Sequence, residues 1–140
     1  DKYTGVDRDA DIICEARKKY PNHSFCNLND FQHNTDKYDT IVLLAVLEHI
    51  EDPLKLLFEL KSHLNYNGRI LITAPLPGCE WLHKICASVG LCSKEASEEH
   101  CSLIGHKQIE YCCRSIGLNI EKYQKFLFGV NQLFVLKISS

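Results

Sequence analysis

Two acids stand where an α/β chain places ligand-binding groups. Asp7 closes the short apolar run Tyr3–Asp7 and is followed by Arg8; Asp30 follows the run His23–Leu28 and has Phe31 beside it. Open α/β sheets bind ligands outside the carboxyl ends of their parallel strands. A carboxylate at such an end can accept hydrogen bonds from both hydroxyls of a ribose, as Asp7 would. Asp30 can accept from an adenine amino group, with Phe31 covering a face of the ring. Both acids are also of the type that forms turns after strands, and spacing alone leaves the two readings level. The same rule selects a third place, Leu44 to His49, at the end of a long apolar run.

The elements that must position these groups alternate along the chain. Tyr3–Asp7 reads as a strand, and residues 9–20 as a helix ended by Pro21-Asn22, with Ile12, Ile13, Ala16 and Tyr20 on one apolar face. His23–Leu28 is a second short strand, and "NDFQHNTDK" a loop. "YDTIVLLAVL" is the kind of unbroken apolar run that helices cover on both faces of a parallel sheet. Asp52 is then a helix N-cap and Pro53 its first residue, with Leu54, Leu57, Phe58, Leu60 and Leu64 on the buried side. Gly68 sits where a helix-ending turn requires positive φ. "RILITAP" is a further buried strand, and "HKQIEYCCRSIG" a helix with Ile109, Cys112, Cys113 and Ile116 inward.

"LNIEKYQKFLF" and "NQLFVLKI" have only Gly129-Val130 between them, so they pair antiparallel; a parallel pair needs a long crossover. The order is β-α-β-(loop)-β-α-β-α-β-β. It specifies an α/β fold, a doubly wound, mostly parallel sheet that finishes in an antiparallel hairpin.

The 140 residues are long enough to bury one real core. A 45% apolar and 24% charged share is that of an ordinary globular domain. The net charge of −2 implies no basic surface for nucleic acid or anionic lipid. No apolar run approaches the roughly 20 residues that span a bilayer. Eight cysteines, at 14, 26, 79, 86, 92, 101, 112 and 113, form no paired framework. Reduced thiols packed as small hydrophobes, in a cytoplasmic protein, account for them. Cys79, His83, Cys86, Cys92, His100, Cys101 and His106 match no zinc spacing, and no metal is expected.

"YDTIVLLAVLEHIEDP", with the later "LNYNGRILITAP", resembles the class I S-adenosylmethionine-dependent methyltransferases, which are Rossmann-like. The residues that carry the resemblance are Tyr38-Asp39, Leu47-Glu48-His49-Ile50-Glu51-Asp52-Pro53 and Asn67-Gly68-Arg69. "GHKQIEYCCRSIGLNI" and the closing hairpin resemble the family's last helix and its sixth and seventh strands. The resemblance implies S-adenosylmethionine as cofactor. It places Asp7 on the cofactor ribose with Arg8 next to it, Asp30 and Phe31 at the adenine, and the backbone of Leu44 and Ala45 facing the cofactor. His49 falls near the methyl-transfer site, as a packing residue or as a base where the acceptor must lose a proton.

The family's first strand and its G-x-G-x-G loop have no counterpart here, although the family places that strand between its second and fourth. The expectation is that these residues form the later part of a longer domain, a partial methyltransferase-like domain over 1–140; the alternative is a degenerate form whose sheet closes differently. Residues 78–105 are read as an acceptor-side insert; its Trp81, His83, Glu99 and His100, with His106 at the helix start that follows, can line a pocket or simply pack and cap. The neutral charge favours a small-molecule, sugar or lipid-linked acceptor over nucleic acid; the sequence does not fix an oligomeric state. Two rivals remain: a non-catalytic methyltransferase-like module that binds a protein, and an NAD-dependent oxidoreductase, whose ribose Asp7 would serve equally well.

Overall fold

The computed structural model describes residues 2–77 and 104–139. The chain forms two compact units, Asp1–Asp36 and Lys37–Ser140.

The first unit contains β1 (Thr4–Asp7), α1 (Ala10–Lys19), β2 (Ser24–Asn27) and α2 (Leu28–Gln32). β1 and β2 pair in parallel, Thr4 opposite Ser24 and Asp7 opposite Asn27, with α1 as the crossover. Asp9 caps α1 by accepting from the amides of Asp11 and Ile12. Arg17, Lys18 and Lys19 occupy its last turn, where cations complement the helix dipole. The Arg17 guanidinium donates twice to the Phe25 carbonyl, from Nε at 3.2 Å and Nη2 at 2.7 Å, and so ties helix to strand. Ile13 is buried, but Ile12 and Tyr20 are exposed. The expected four-residue apolar face is therefore narrower, because a two-stranded sheet covers only a thin stripe of a helix.

The expected loop after β2 contains α2 instead. Asn27 Oδ1 accepts from the Asp30 amide at 2.8 Å, and Phe31 is buried. One cap and one buried ring hold this turn and a half, which is too short for helical periodicity to show in sequence.

The second unit holds β3 (Tyr38–Leu44), a 3-10 turn (Leu47–His49), α3 (Pro53–Ser62), β4 (Leu64–Pro75), α4 (His106–Ile116), β5 (Leu118–Phe126) and β6 (Asn131–Ile138). Its sheet runs β3-β4-β6-β5; β3 and β4 are parallel, while β4–β6 and β6–β5 are antiparallel. Each unit thus contributes one parallel pair among the described residues, and the hairpin that ends the chain joins the second sheet through β6. Ile70, Ile72 and Ala74 of β4 and Phe134 and Leu136 of β6 are buried, as are Leu57 and Leu60 of α3 and Ile109, Cys112 and Cys113 of α4. Helix α3 packs on α4, and α4 on β5.

The α3 start is as expected: Asp52 accepts from the Lys55 amide at 3.0 Å, and Pro53 opens the helix. Its buried side is smaller than expected, because Phe58 is exposed and Leu64 already belongs to β4. Gly68 lies inside β4 rather than in a helix-ending turn, and its φ is not positive. The pairing shifts register here, between Tyr38–Leu64 and Thr40–Arg69. A Cβ on Gly68 would lie 2.9 Å from the Tyr38 carbonyl oxygen and 3.0 Å from that of Asn65. Space, not φ, requires the glycine. At the end of α4, Gly117 does take the left-handed conformation, with φ 68°. There the Lys61 ammonium donates to the Ile116 carbonyl at 2.5 Å.

β3 departs from the expectation of burial on both faces. Leu43 is buried, but Val42 is 51% and Leu44 64% exposed, and β3 is an edge strand among the described residues. The hairpin turn is also longer than Gly129-Val130: Phe126 pairs with Asn131, leaving Leu127 to Val130 as the loop.

Gly68→Ala is expected to destabilise the protein by about 1–3 kcal/mol, since both obstructing atoms belong to the backbone; a denaturation midpoint measures it. Burial, with Cys112 adjacent, pushes the Cys113 thiol from 9.0 up to about 11, and burial also raises Cys112. Brief alkylation near pH 8, followed by peptide mapping, should label the exposed Cys14 and spare both of these until the protein unfolds. The folded state favours the neutral Cys113 thiol. That contribution to stability is full below about pH 9 and declines as pH rises through about 11.

Candidate functional site

Parallel pairing of β1 with β2 brings Asp7, Arg8 and the start of α2 to one end of the first unit, because Asp7 stands opposite Asn27. Asp7 is a turn residue: its Oδ1 accepts from the Asp9 amide at 2.9 Å. A carboxylate has more lone pairs than that one bond uses. Turn formation and ligand binding are thus compatible on this side chain.

Asn27 positions Asp30 through the cap on its amide. The Asp30 carboxylate is exposed and lines a surface cavity of about 400 Å³ with Ala10, Ile13, Cys14, Arg17, Lys18 and Asn27. Asp7 and Arg8 are not among the lining residues. Burial and the nearby Asp30 charge raise the Cys26 thiol, partly offset by Arg17, so Cys26 is no activated nucleophile. Phe31, assigned to a ring face from sequence, is buried. Asn27 is the residue that sequence reading missed here. Its position one before an apolar residue that opens a helix, with an acid three further on, was the available signal.

In the second unit the corresponding end is the turn after β3. Leu44 pairs with Thr73, and the next residue, Ala45, turns the chain with φ 52°. The Ala45 amide donates to the Thr73 carbonyl at 3.0 Å, so that N–H is spent on the sheet. The following 3-10 turn buries Leu47 and Glu48 and leaves His49 exposed, with its amide bonded to the Val46 carbonyl at 3.0 Å. Leu-Glu-His thus divides between core and surface, and His49 is on the accessible side.

Beyond β4 the strongest organising group is Gln132, fully buried in β6. Its Nε2 donates to the Pro75 carbonyl at 3.1 Å and the Ile104 carbonyl at 2.7 Å. One amide thereby ties residue 75, just before the stretch read as an acceptor-side insert, to residue 104, near that stretch's end. Trp81, His83, Glu99 and His100 lie outside the described residues. His106 opens α4, with its ring 4.7 Å from Tyr123 and 5.8 Å from Phe134 in aromatic contact. That is the packing half of its expectation. It also borders a second cavity, of about 450 Å³, with Glu110, Arg114, Asn119 and Tyr123. No group of three or more metal-ligating side chains occurs among the described residues.

A profile of the methyltransferase domain family matches residues 1–123. The chain belongs to that family. Among solved structures, this methyltransferase domain is similar to magnesium protoporphyrin IX methyltransferase from Synechocystis PCC 6803, a structure with SAH bound. The TM-score is 0.69 at 18% identity, over 99% of this chain and 64% of that one. It is also similar to an S-adenosylmethionine-dependent methyltransferase from Clostridium acetobutylicum ATCC 824, with TM-score 0.72 at 13% identity, over 100% of this chain and 76% of that one. These likenesses establish the Rossmann-like methyltransferase fold. A tRNA U34 carboxymethyltransferase from Campylobacter fetus subsp. fetus (strain 82-40) is 47% identical over 45 residues. That match is 32% of this chain, and the chain spans only 16% of that relative's length.

The left-handed Ala45 is the strained point of the second unit's turn. An L-residue there costs about 1–2 kcal/mol, while a glycine loses roughly 0.5–1 kcal/mol more backbone entropy on folding. Ala45→Gly should therefore stabilise the domain by up to about 1 kcal/mol. A denaturant titration giving a lower midpoint would show that the alanine methyl group packs usefully.

Proposed function

We propose that this domain takes part in methyl transfer from S-adenosylmethionine to a small-molecule, sugar or lipid-linked acceptor, in the cytoplasm. The observation that carries the proposal is the family match over residues 1–123, which includes every candidate site residue. Asp7 is assigned the ribose hydroxyls through the acceptor capacity its turn bond leaves, with Arg8 flanking it. Asp30 is assigned the adenine amino group, and Phe31, from inside the unit, holds α2 in place beneath the ring. Leu44 and Ala45 are assigned backbone contact with the cofactor. Since the Ala45 amide already donates to Thr73, the contact falls to carbonyl oxygens.

When bound, S-adenosylmethionine supplies a methyl group on a sulfonium. The chain's own task is then to hold cofactor and acceptor in line, which itself removes much of a bimolecular barrier. His49 is assigned a proton-accepting role only for acceptors that must lose a proton; otherwise it shapes the turn. The domain assignment over 1–140, with residues 78–105 as an acceptor-side insert, belongs to the same proposal. Because the chain spans less than two thirds of the magnesium protoporphyrin enzyme's length, the activity is proposed for the whole protein. The short likeness to a tRNA-acting enzyme supports an RNA acceptor as a second reading.

Calorimetric titration with S-adenosylmethionine and with NAD, on these 140 residues and on the whole protein, tests the reading. Micromolar binding of the first ligand by the whole protein is expected, with Asp7→Ala costing about 1–3 kcal/mol, the loss of a charged hydrogen bond. Unchanged affinity would remove Asp7 from the site. Binding of neither ligand would favour the protein-binding module, and binding of NAD alone the oxidoreductase. Labelled methyl transfer into total tRNA would select the second reading.

A further inference from the structure

The β5–β6 turn combines two features that its local structure does not require. The Gly129 amide bonds to the Phe126 carbonyl at 3.1 Å, and the two central residues, Leu127 and Phe128, have φ of 49° and 56°. Positive φ at both central positions is the signature of a type I′ turn, where asparagine and glycine are preferred because side chains strain the backbone. This turn carries two large apolar side chains instead, and it presents them to water: Leu127 is 59% and Phe128 108% exposed. Gly129, at φ 85°, continues the left-handed run.

The hairpin's own charge, from Lys122 onward, has one sign. From Lys122 to Ser140 the sequence contains lysines at 122, 125 and 137 and no acid. Lys137 is neutralised by Glu121 at 2.5 Å. Lys122 and Lys125 are exposed and form no ion pair with any acid among the described residues. At roughly 3.4 Å per strand residue, Lys125 sits about 7 Å behind Leu127 and Lys122 about 17 Å behind it. An apolar tip that enters a bilayer by about 5–10 Å would carry Lys125 to headgroup level. Lys122 would stay above it, in the attractive field of anionic lipid. The chain's net charge of −2 is a sum over all residues and conceals this local patch.

The position of the tip gives the contact a purpose. β6 begins opposite Pro75, the last residue of β4, and the Leu76 amide bonds to the Val130 carbonyl at 2.8 Å. β4 runs parallel to β3, so the turn projects from the same sheet edge as Ala45 and the Leu47–His49 turn.

We propose that Leu127 and Phe128, backed by Lys125 and Lys122, dock this edge of the domain on the surface of an anionic lipid bilayer. Docking would present the edge to molecules dissolved in, or attached to, that surface. The proposal does not depend on methyl transfer, and its test reads lipid binding alone.

The full chain should co-sediment with vesicles of phosphatidylcholine and phosphatidylserine at about 7:3, and far less with phosphatidylcholine alone. Raising the salt should weaken the binding. The informative variant is Leu127→Asn with Phe128→Gly, because those residues suit the turn, so thermal stability should hold or rise. Its vesicle binding should fall at least about ten-fold, since the apolar anchor is one of two required signals. Lys125→Glu should cost on the order of ten-fold or more, by removing one attraction and adding a repulsion. No sedimentation at any lipid composition would overturn the proposal, as would binding unaffected by the turn variant. A dimer in light scattering that the turn variant abolishes would overturn it too, by assigning the tip to a second copy of the chain.

Discussion

The second unit depends on β4 being hydrogen-bonded on both sides. It pairs in parallel with β3 through Ile41–Ile70 to Leu44–Thr73, and antiparallel with β6 through Arg69–Lys137 to Pro75–Asn131. A strand in that position leaves no backbone group of its middle stretch without a ladder, and its alternating side chains can be large and apolar. Ile70, Ile72 and Ala74 are the buried set. Gly68 lets the first part of the strand approach Tyr38 closely where the register shifts, and Gln132 secures the other end by donating to Pro75. A buried amide with both donors used is inexpensive, whereas one left unpaired would cost about 1–3 kcal/mol. The same side chain also reaches Ile104, so the route out of β4 and the route back into α4 are held by one residue.

This arrangement explains which parts of the fold were legible in the sequence. Signals contained within a few residues came through intact. Asp52-Pro53 started α3, Gly117 stopped α4, and Ile109, Cys112 and Cys113 lay inward along α4. Signals that depend on a neighbouring element did not. Gly68 was given the right importance for the wrong reason, because the nearest of the atoms that forbid a side chain there is Tyr38 O, thirty residues away. Phe58 and Ile12 have the periodicity of core residues but stay exposed, with no covering layer among the described residues. Periodicity describes one helix, and burial needs a partner surface.

The candidate site shows the same division. Asp7, Arg8 and Asp30 were found from the rule that ligands gather at carboxyl ends, and the Asp7–Asn27 register places all three at one end of the first unit. What sequence left open was whether Asp7 turns the chain or binds a ligand; the structure shows the turn, and the ribose contact is proposed beside it. One oxygen accepts from Asp9, which fixes the carboxylate's direction at the strand end. A group held by its own turn loses less entropy when it meets a ligand than a freely rotating side chain does. The turn bond is thus compatible with the proposed ribose contact at Asp7.

Strain is distributed by the same logic. Among the described residues, the positive-φ residues other than glycine, Ala45, Leu127 and Phe128, all belong to the second unit and all lie at its carboxyl edge, while the opposite edge uses Gly117 for its left-handed turn. Where a turn serves only to reverse the chain, as at the end of α4, glycine adopts the conformation without a steric penalty. Where L-residues are held in it, the surrounding ladder must stabilise them: Ala45 by its bond to Thr73, and Leu127 and Phe128 by the β5–β6 pairing that closes at Phe126 and Asn131. Such strain persists when the side chain itself is needed at that place, and it gathers at functional edges. The sheet's strained turns and its strand ends therefore mark one edge by two independent criteria, topology and backbone conformation.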